Sequence, residues 1–312
     1  MDNLIFSLNA TMPIFLVIAA GYILRQKKFI DEGFLKPANK LVFKVTLPAM
    51  LVIEMMDCDI KKMFDLKYVL YCASVTMICI LIVWLMAFLY IKDKSLIGEF
   101  VQGSYRGSAA ILGIALLQNI IGNANIAPLM MLGSVPLYNI FAVIILNATG
   151  KGKTDISAWH TIKGIITNPI IVSILGGMLL SLLGIKFPFI IHNTIEKIGS
   201  MTTPLALIVI GGEFNKNNAI GRIKEVIIAT VIKLIIQPLF FLPIAVNLGF
   251  SSEKIVAALV MLGAPTTATC FVMAKNMGHE GTLSTGIIVL TTLLSAFTIT
   301  GWLYILKILG YI

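Results

Sequence analysis

Thr46-Leu47-Pro48-Ala49-Met50-Leu51 returns 156 residues later as Thr202-Thr203-Pro204-Leu205-Ala206-Leu207. The same shift carries Thr11-Met12-Pro13 onto Thr167-Asn168-Pro169, and these two pairs account for every Thr-x-Pro in the chain. It also carries Ile14 onto Ile170, Ile18 onto Ile174, Gly21 onto Gly177 and Gly107 onto Gly263. Half of 312 is 156, so the chain reads as one unit written twice, residues 1–155 and then 156–312. In a membrane protein, such duplication is the mark of a secondary transporter built from two structural repeats.

The composition names the solvent. The chain is 58% hydrophobic and only 12% charged. Apolar runs near twenty residues recur along its length, each long enough to cross a bilayer core. Spans are predicted at roughly 4–24, 35–56, 67–91, 98–121, 127–147, 167–185, 197–214, 225–247, 253–276 and 284–307. The predicted fold class is an all-α membrane protein of about ten transmembrane helices, five per repeat. The first stretch has no basic leader region and is interrupted by Asn9 and Pro13, so it reads as a helix rather than a cleavable signal.

Charge orients the chain. With the N-terminus outside, one set of links holds fourteen Lys and Arg, the opposite set seven. The richer set belongs in the cytoplasm, which leaves both termini extracytoplasmic. The net charge of +9 then suits anionic lipid headgroups, with no need of nucleic acid. Five helices is an odd number, so the second repeat enters the membrane from the opposite side. The repeats are expected to be inverted, an arrangement that permits alternating access.

Metal and cofactor chemistry find no foothold. Cys58, Cys72, Cys79 and Cys270 form no CxxC, and His160, His192 and His279 fall in separate links. No HExxH, Gly-x-Ser-x-Gly or paired membrane aspartates suggest a hydrolase.

The fourth span of each repeat carries the candidate site. The first reads Gly103-Ser104-Tyr105-Arg106-Gly107-Ser108-Ala109 and the second Gly263-Ala264-Pro265-Thr266-Thr267-Ala268-Thr269. Glycine loosens a helix, proline removes a donor, and hydroxyls can satisfy the freed backbone. Two broken helices crossing at mid-membrane would aim amides and half-helix N-termini at an anion. The ordinary alternative is close packing through small residues with a kink at Pro265. The Thr-x-Pro prolines read as structural kinks, with Thr46 and Thr202 covering freed backbone groups, and Pro169 as a helix start.

Three cations lie well inside predicted spans, Lys44, Arg106 and Lys233, with no acidic residue expected at their depth. Glu54 and Glu213 fall near predicted helix ends. A charge inside the membrane is a functional candidate, and snorkelling along its aliphatic stem is the alternative. Arg106 abuts the predicted break and offers a planar fork to a carboxylate. Candidate substrate-binding residues are therefore Arg106, Gly107, Ser108, Ala109, Pro265, Thr266, Thr267, Thr269, Asn139 and Lys44.

At these residues the chain resembles the auxin efflux carrier family, which includes bacterial malate-permease-like members and the plant auxin carriers. Lys40-Leu41-Val42-Phe43 with Leu47-Pro48-Ala49 looks like the family's second helix, and Gly103 to Ser108 through Leu112-Gly113 like its fourth. Pro204-Leu205-Ala206-Leu207-Ile208-Val209-Ile210-Gly211-Gly212 is similar to the seventh, and Gly263 to Ala268 through Ala274-Lys275 to the ninth. The resemblance implies a fold like that of bile-acid symporters, with broken helices four and nine crossed. It implies a scaffold of helices 1, 2, 6 and 7, through which homodimers form, and a mobile domain of helices 3–5 and 8–10. It implies carriage of a small organic anion, a malate-like or auxin-like carboxylate, across the cell membrane. A sodium-coupled symporter with Gln118, Asn119, Asn139 and threonine oxygens as ligands remains an alternative, as does a receptor without turnover.

Overall fold

A computed structural model describes residues 2–58, 65–108, 117–118, 120–121, 126–149, 166–214 and 221–312. Among the described residues the chain is helical throughout, with a single isolated bridge and no strand. Ala109, Asn119 and most of the second half of the 98–121 span lie outside the described residues.

In chain order the helices are α1 (Asp2–Gln26), α2 (Glu32–Leu41), α3 (Leu47–Asp57), α4 (Leu66–Tyr90), α5 (Ile97–Tyr105), α6 (Ala127–Thr149) and α7 (Pro169–Leu183). Then come α8 (Phe189–Ser200), α9 (Thr202–Glu213), α10 (Ile223–Val231), α11 (Gln237–Asn247), α12 (Ser252–Gly263), α13 (Thr269–Asn276) and α14 (Thr282–Ile308). Among the described residues, four continuous helical runs are long and apolar enough to cross a membrane by themselves: α4, α6, Ile223–Asn247 and α14. A band of large exposed apolar side chains, such as Leu81, Leu85, Phe88 and Leu89 on α4, faces outward. Lipid is the medium that tolerates it.

Capping follows the sequence. Asp65 opens α4 by accepting from the Tyr68 amide at 3.0 Å, and Asn168 opens α7 by accepting from Ile170 ahead of Pro169 at N1.

Of the Thr-x-Pro prolines, Pro48 and Pro204 stand near helix irregularities, Pro169 starts α7, and Pro13 lies within the continuous α1. Pro48 stands just beyond a π-helical turn, Val42–Thr46, which joins α2 to α3 in one rod. The helix carrying Pro204 is interrupted at Met201, between α8 and α9. A second π turn, Ile232–Ile236, precedes Pro238 and joins α10 to α11. The hydroxyls of Thr46 and Thr202 do not cover freed backbone as expected; both are buried without a partner. At the first site the Leu47 amide reaches back five residues to the Val42 carbonyl, which closes the wide turn just before Pro48.

Two seams hold the outer helices by backbone contact. On α1, a Cβ at Gly21 would lie 2.3 Å from the Ile208 carbonyl oxygen of α9, and one at Gly211 would lie 2.0 Å from that of Ile18. On α7, a Cβ at Gly177 would lie 2.7 Å from the Val52 carbonyl oxygen of α3. Only glycine permits such approach. Gly21 and Gly177 are repeat mates, and so are Val52 and Ile208 (208 − 52 is again 156).

Candidate functional site

The helix that begins at Ile97 stops at Tyr105, where the chain turns extended at Arg106 (φ −88°, ψ 114°). The span from Ser252 to Asn276 is likewise two helices, α12 and α13, parted by residues 264–268. The two gaps meet. Gly107 and Thr266 form an antiparallel bridge, and the Ser108 amide donates to the Pro265 carbonyl at 2.8 Å.

A helix end leaves four carbonyls without partners, and burial makes each one costly. At the end of α5 all four are met. Gln102 accepts from the Arg106 amide at 3.1 Å, and Gly103 from the Thr266 hydroxyl at 2.7 Å. Ser104 accepts from the Gln237 side-chain amide at 2.8 Å, and Tyr105 from the Lys233 ammonium at 3.4 Å. At the end of α12, Val260 accepts from the Ala264 amide at 2.9 Å. The Met261 and Leu262 carbonyls accept from Lys233 at 3.1 and 2.7 Å. The Met261 carbonyl is the one Pro265 cannot serve. Lys233 and Gln237 stand four residues apart on one helix face, and so both reach the crossing.

Beneath the crossing lies a tight cavity of about 50 Å³, lined by Arg106, Gly107, Ser108, Thr267, Thr269, Asn139, Thr203, Tyr138 and Glu54 with four apolar residues. That is room for a few water molecules. Arg106 is 4% exposed. One guanidinium nitrogen donates to Asn139 Oδ1 at 2.6 Å and the other to Met273 Sδ at 2.9 Å. Asn139 is itself held by donating to the Val135 carbonyl at 2.9 Å. The start of α13 brings Thr267 and Thr269 to the cavity wall, with its positive dipole end behind them.

Six of the candidate residues therefore line one cavity: Arg106, Gly107, Ser108, Asn139, Thr267 and Thr269. Pro265 and Thr266 stand beside it and build the crossing. Ala109 lies outside the described residues. Lys44 is exposed on the outer face of its helix and is not among the cavity residues.

Three side chains carry more than their sequence positions suggest. Lys233, an ordinary snorkelling candidate, is 0% exposed and caps both broken helices. Thr203, the middle residue of a Thr-x-Pro motif, lines the cavity. Glu54 corrects the expectation that no carboxylate reaches the depth of Arg106: it lines the same cavity without forming an ion pair with the guanidinium. The expectation placed Glu54 by its distance from the end of its own span, whereas the cavity wall is assembled from several helices, and α3 brings Glu54 to it with Leu47, Met50 and Leu51. Of the other carboxylates, Glu213 pairs with Lys275 at 2.5 Å. Glu99, 1% exposed, accepts from the Gly281 and Ser284 amides at 2.8 and 2.9 Å, at the start of α14.

A helical protein with a lipid-compatible surface and a charged cavity at crossed, broken helices is of the class that carries solutes through membranes. The chain belongs to the membrane transport protein family, whose model matches residues 6–303. It is a multi-pass membrane transporter and not an enzyme. It is 20% identical to a "Putative malonate transporter" of Rhizobium meliloti (strain 1021), over 95% of this chain and 94% of that protein. It is 23% identical to the "Uncharacterized transporter YfdV" of Escherichia coli (strain K12), over 98% of this chain and all of that protein.

Proposed function

We propose that the chain carries a small organic anion, a malate-like, malonate-like or auxin-like carboxylate, across the plasma membrane by alternating access, with the substrate held at the cavity under the crossing. One observation carries this reading: Arg106 is buried, fixed by Asn139 and Met273, and faces a cavity lined by the hydroxyls of Ser108, Thr267 and Thr269. A planar guanidinium with neighbouring hydroxyls and a helix N-terminus suits a carboxylate. The small cavity favours a short acid, in keeping with the name of the Rhizobium meliloti relative.

The architecture behind this reading is two inverted five-helix repeats, 1–155 and 156–312, with both termini extracytoplasmic. The reciprocal contacts of Gly21 on Ile208 and of Gly177 on Val52 support a two-fold relation. In this reading helices 1, 2, 6 and 7 form the scaffold and the dimer surface. Helices 3–5 and 8–10 form the moving domain around the crossing.

The test is flux of a panel of mono- and dicarboxylates into proteoliposomes by the wild-type chain and Arg106→Gln. Saturable uptake of a short carboxylate, lost in the variant while its melting profile stays native, is expected. Full transport by Arg106→Gln sinks the reading.

A further inference from the structure

Lys233 sits where two buried helices end. The carbonyls of Tyr105 at the close of α5, and of Met261 and Leu262 at the close of α12, converge on its Nζ at 3.4, 3.1 and 2.7 Å. An ammonium has three hydrogens to give, and three acceptors are present. Each helix C-terminus carries about half a negative charge, so the point where the two meet is a cation site by its own field. No part of the ammonium is open to solvent. It rests against Gly107, where a Cβ would stand 3.0 Å from Nζ, so it lies directly behind the cavity wall that Gly107 helps form.

Unwound carbonyls and half-helix C-terminal ends are the groups with which transporters of broken-helix design coordinate a coupling cation. We infer that the carbonyl cluster at the crossing is a monovalent-cation site filled from within by Lys233, so that the crossing is assembled without bound sodium. The tethered ammonium supplies the positive charge that a sodium ion would otherwise bring, and it cannot leave during a cycle. Transport by this chain is then independent of sodium at this position. The location of Asn139 agrees, because its side-chain oxygen is engaged by Arg106 rather than free to ligate a metal.

The experiment compares melting temperatures of the purified full-length wild type, Lys233→Ala and Lys233→Met in lipid, titrated with sodium chloride against choline chloride at constant ionic strength. Wild type is expected to melt at the same temperature in both salts. Lys233→Ala strands the Tyr105 and Leu262 carbonyls, leaves the Met261 carbonyl only the Tyr138 hydroxyl at 3.5 Å, and opens a space. It is expected to melt lower in choline and to regain part of the loss in sodium, saturably and with a fitted dissociation constant. Lys233→Met fills the space without charge and is expected to melt lower in both salts alike. A packing role alone would leave Lys233→Ala indifferent to the choice of cation. Saturable, sodium-specific stabilisation of the wild type overturns the inference. So does a Lys233→Ala protein without sodium-specific recovery, or one that yields no folded protein in either salt. The readout needs no substrate, so its failure is distinct from failure of the anion reading.

Discussion

Two rods in this molecule contain the same local device and use it differently. In each a π turn runs to the second residue before a proline: Val42–Thr46 before Pro48, and Ile232–Ile236 before Pro238. Each turn holds one lysine. Lys44 stands four residues ahead of its proline and is exposed, whereas Lys233 stands five ahead and is fully sealed. One residue along a helix is a rotation of about 100°. That step separates a side chain on the outer face from one aimed at the crossing. The position matching Lys233 in the first rod is Phe43, which is buried, as the geometry requires. Local sequence sets the backbone in both rods, and the angular register of the charge decides which lysine joins the working core.

The contrast can be broken by experiment. The largest effect should come from Arg106, the other cation aimed at the crossing. Arg106→Gln is expected to weaken carboxylate binding by about 30- to 5000-fold, the range for losing one partner of a buried charged pair, as read by calorimetric or fluorescence titration. Next is Gln237, which shares the inward face with Lys233. Gln237→Leu leaves the Ser104 carbonyl without its donor and should cost about 1–3 kcal/mol in a denaturant titration.

Trp302→Phe tests the proline side of the device. Pro238 cannot donate to the Leu234 carbonyl four residues back, and the Trp302 indole serves it instead at 3.0 Å. Losing that donor should cost about 1 kcal/mol, less than at Gln237, because the site is only partly buried. Lys44→Gln, on the outer face, should change stability by less than about 0.5 kcal/mol and leave transport intact. A large loss there would erase the distinction between the two lysines.

The smallest effect concerns pH. Asp65 is held below the usual carboxylate range by its hydrogen bond to Lys254 at 2.5 Å and by the Tyr68 amide. Its carboxylate favours the folded state at pH values above the ordinary carboxylate pKa. That contribution fades as pH falls through the lowered folded value. Asp65 and Lys254 are both partly exposed, so screening keeps the effect small. Acid titration of Asp65→Asn should begin from slightly lower stability at neutral pH and converge with wild type in strong acid.

Much of this was readable in the residues. The duplicated Thr-x-Pro motif foretold helix irregularities at Pro48 and Pro204, because a missing donor disturbs a helix, while the π turn before Pro238 carries no such motif. Gly107 and Pro265 foretold the gaps, and Arg106 with Ser108, Thr267 and Thr269 the cavity. Three features stayed hidden for physical reasons. Glu54 looked peripheral because it stands near the end of its own span, and a span read alone does not show which neighbouring helices share its wall. Lys233 looked like a snorkelling side chain because its partners are backbone carbonyls of other helices, and backbone carbonyls leave no trace in sequence. Lys44 looked internal because span length alone carries no angular register.

The glycine seams carry a mechanical consequence. Where α1 meets α9, and where α3 meets α7, backbone lies against backbone, with no rotamers between them to reshuffle. Such a contact resists sliding, since a displacement of a fraction of a turn drives a neighbouring Cβ into a carbonyl. The crossing adds to its backbone bridge contacts of another kind, side-chain hydrogen bonds from Lys233, Gln237 and Thr266. A substitution at Gly21 or Gly177 therefore acts first on how α1 seats against α9, or α7 against α3, and leaves the side chains of the crossing untouched.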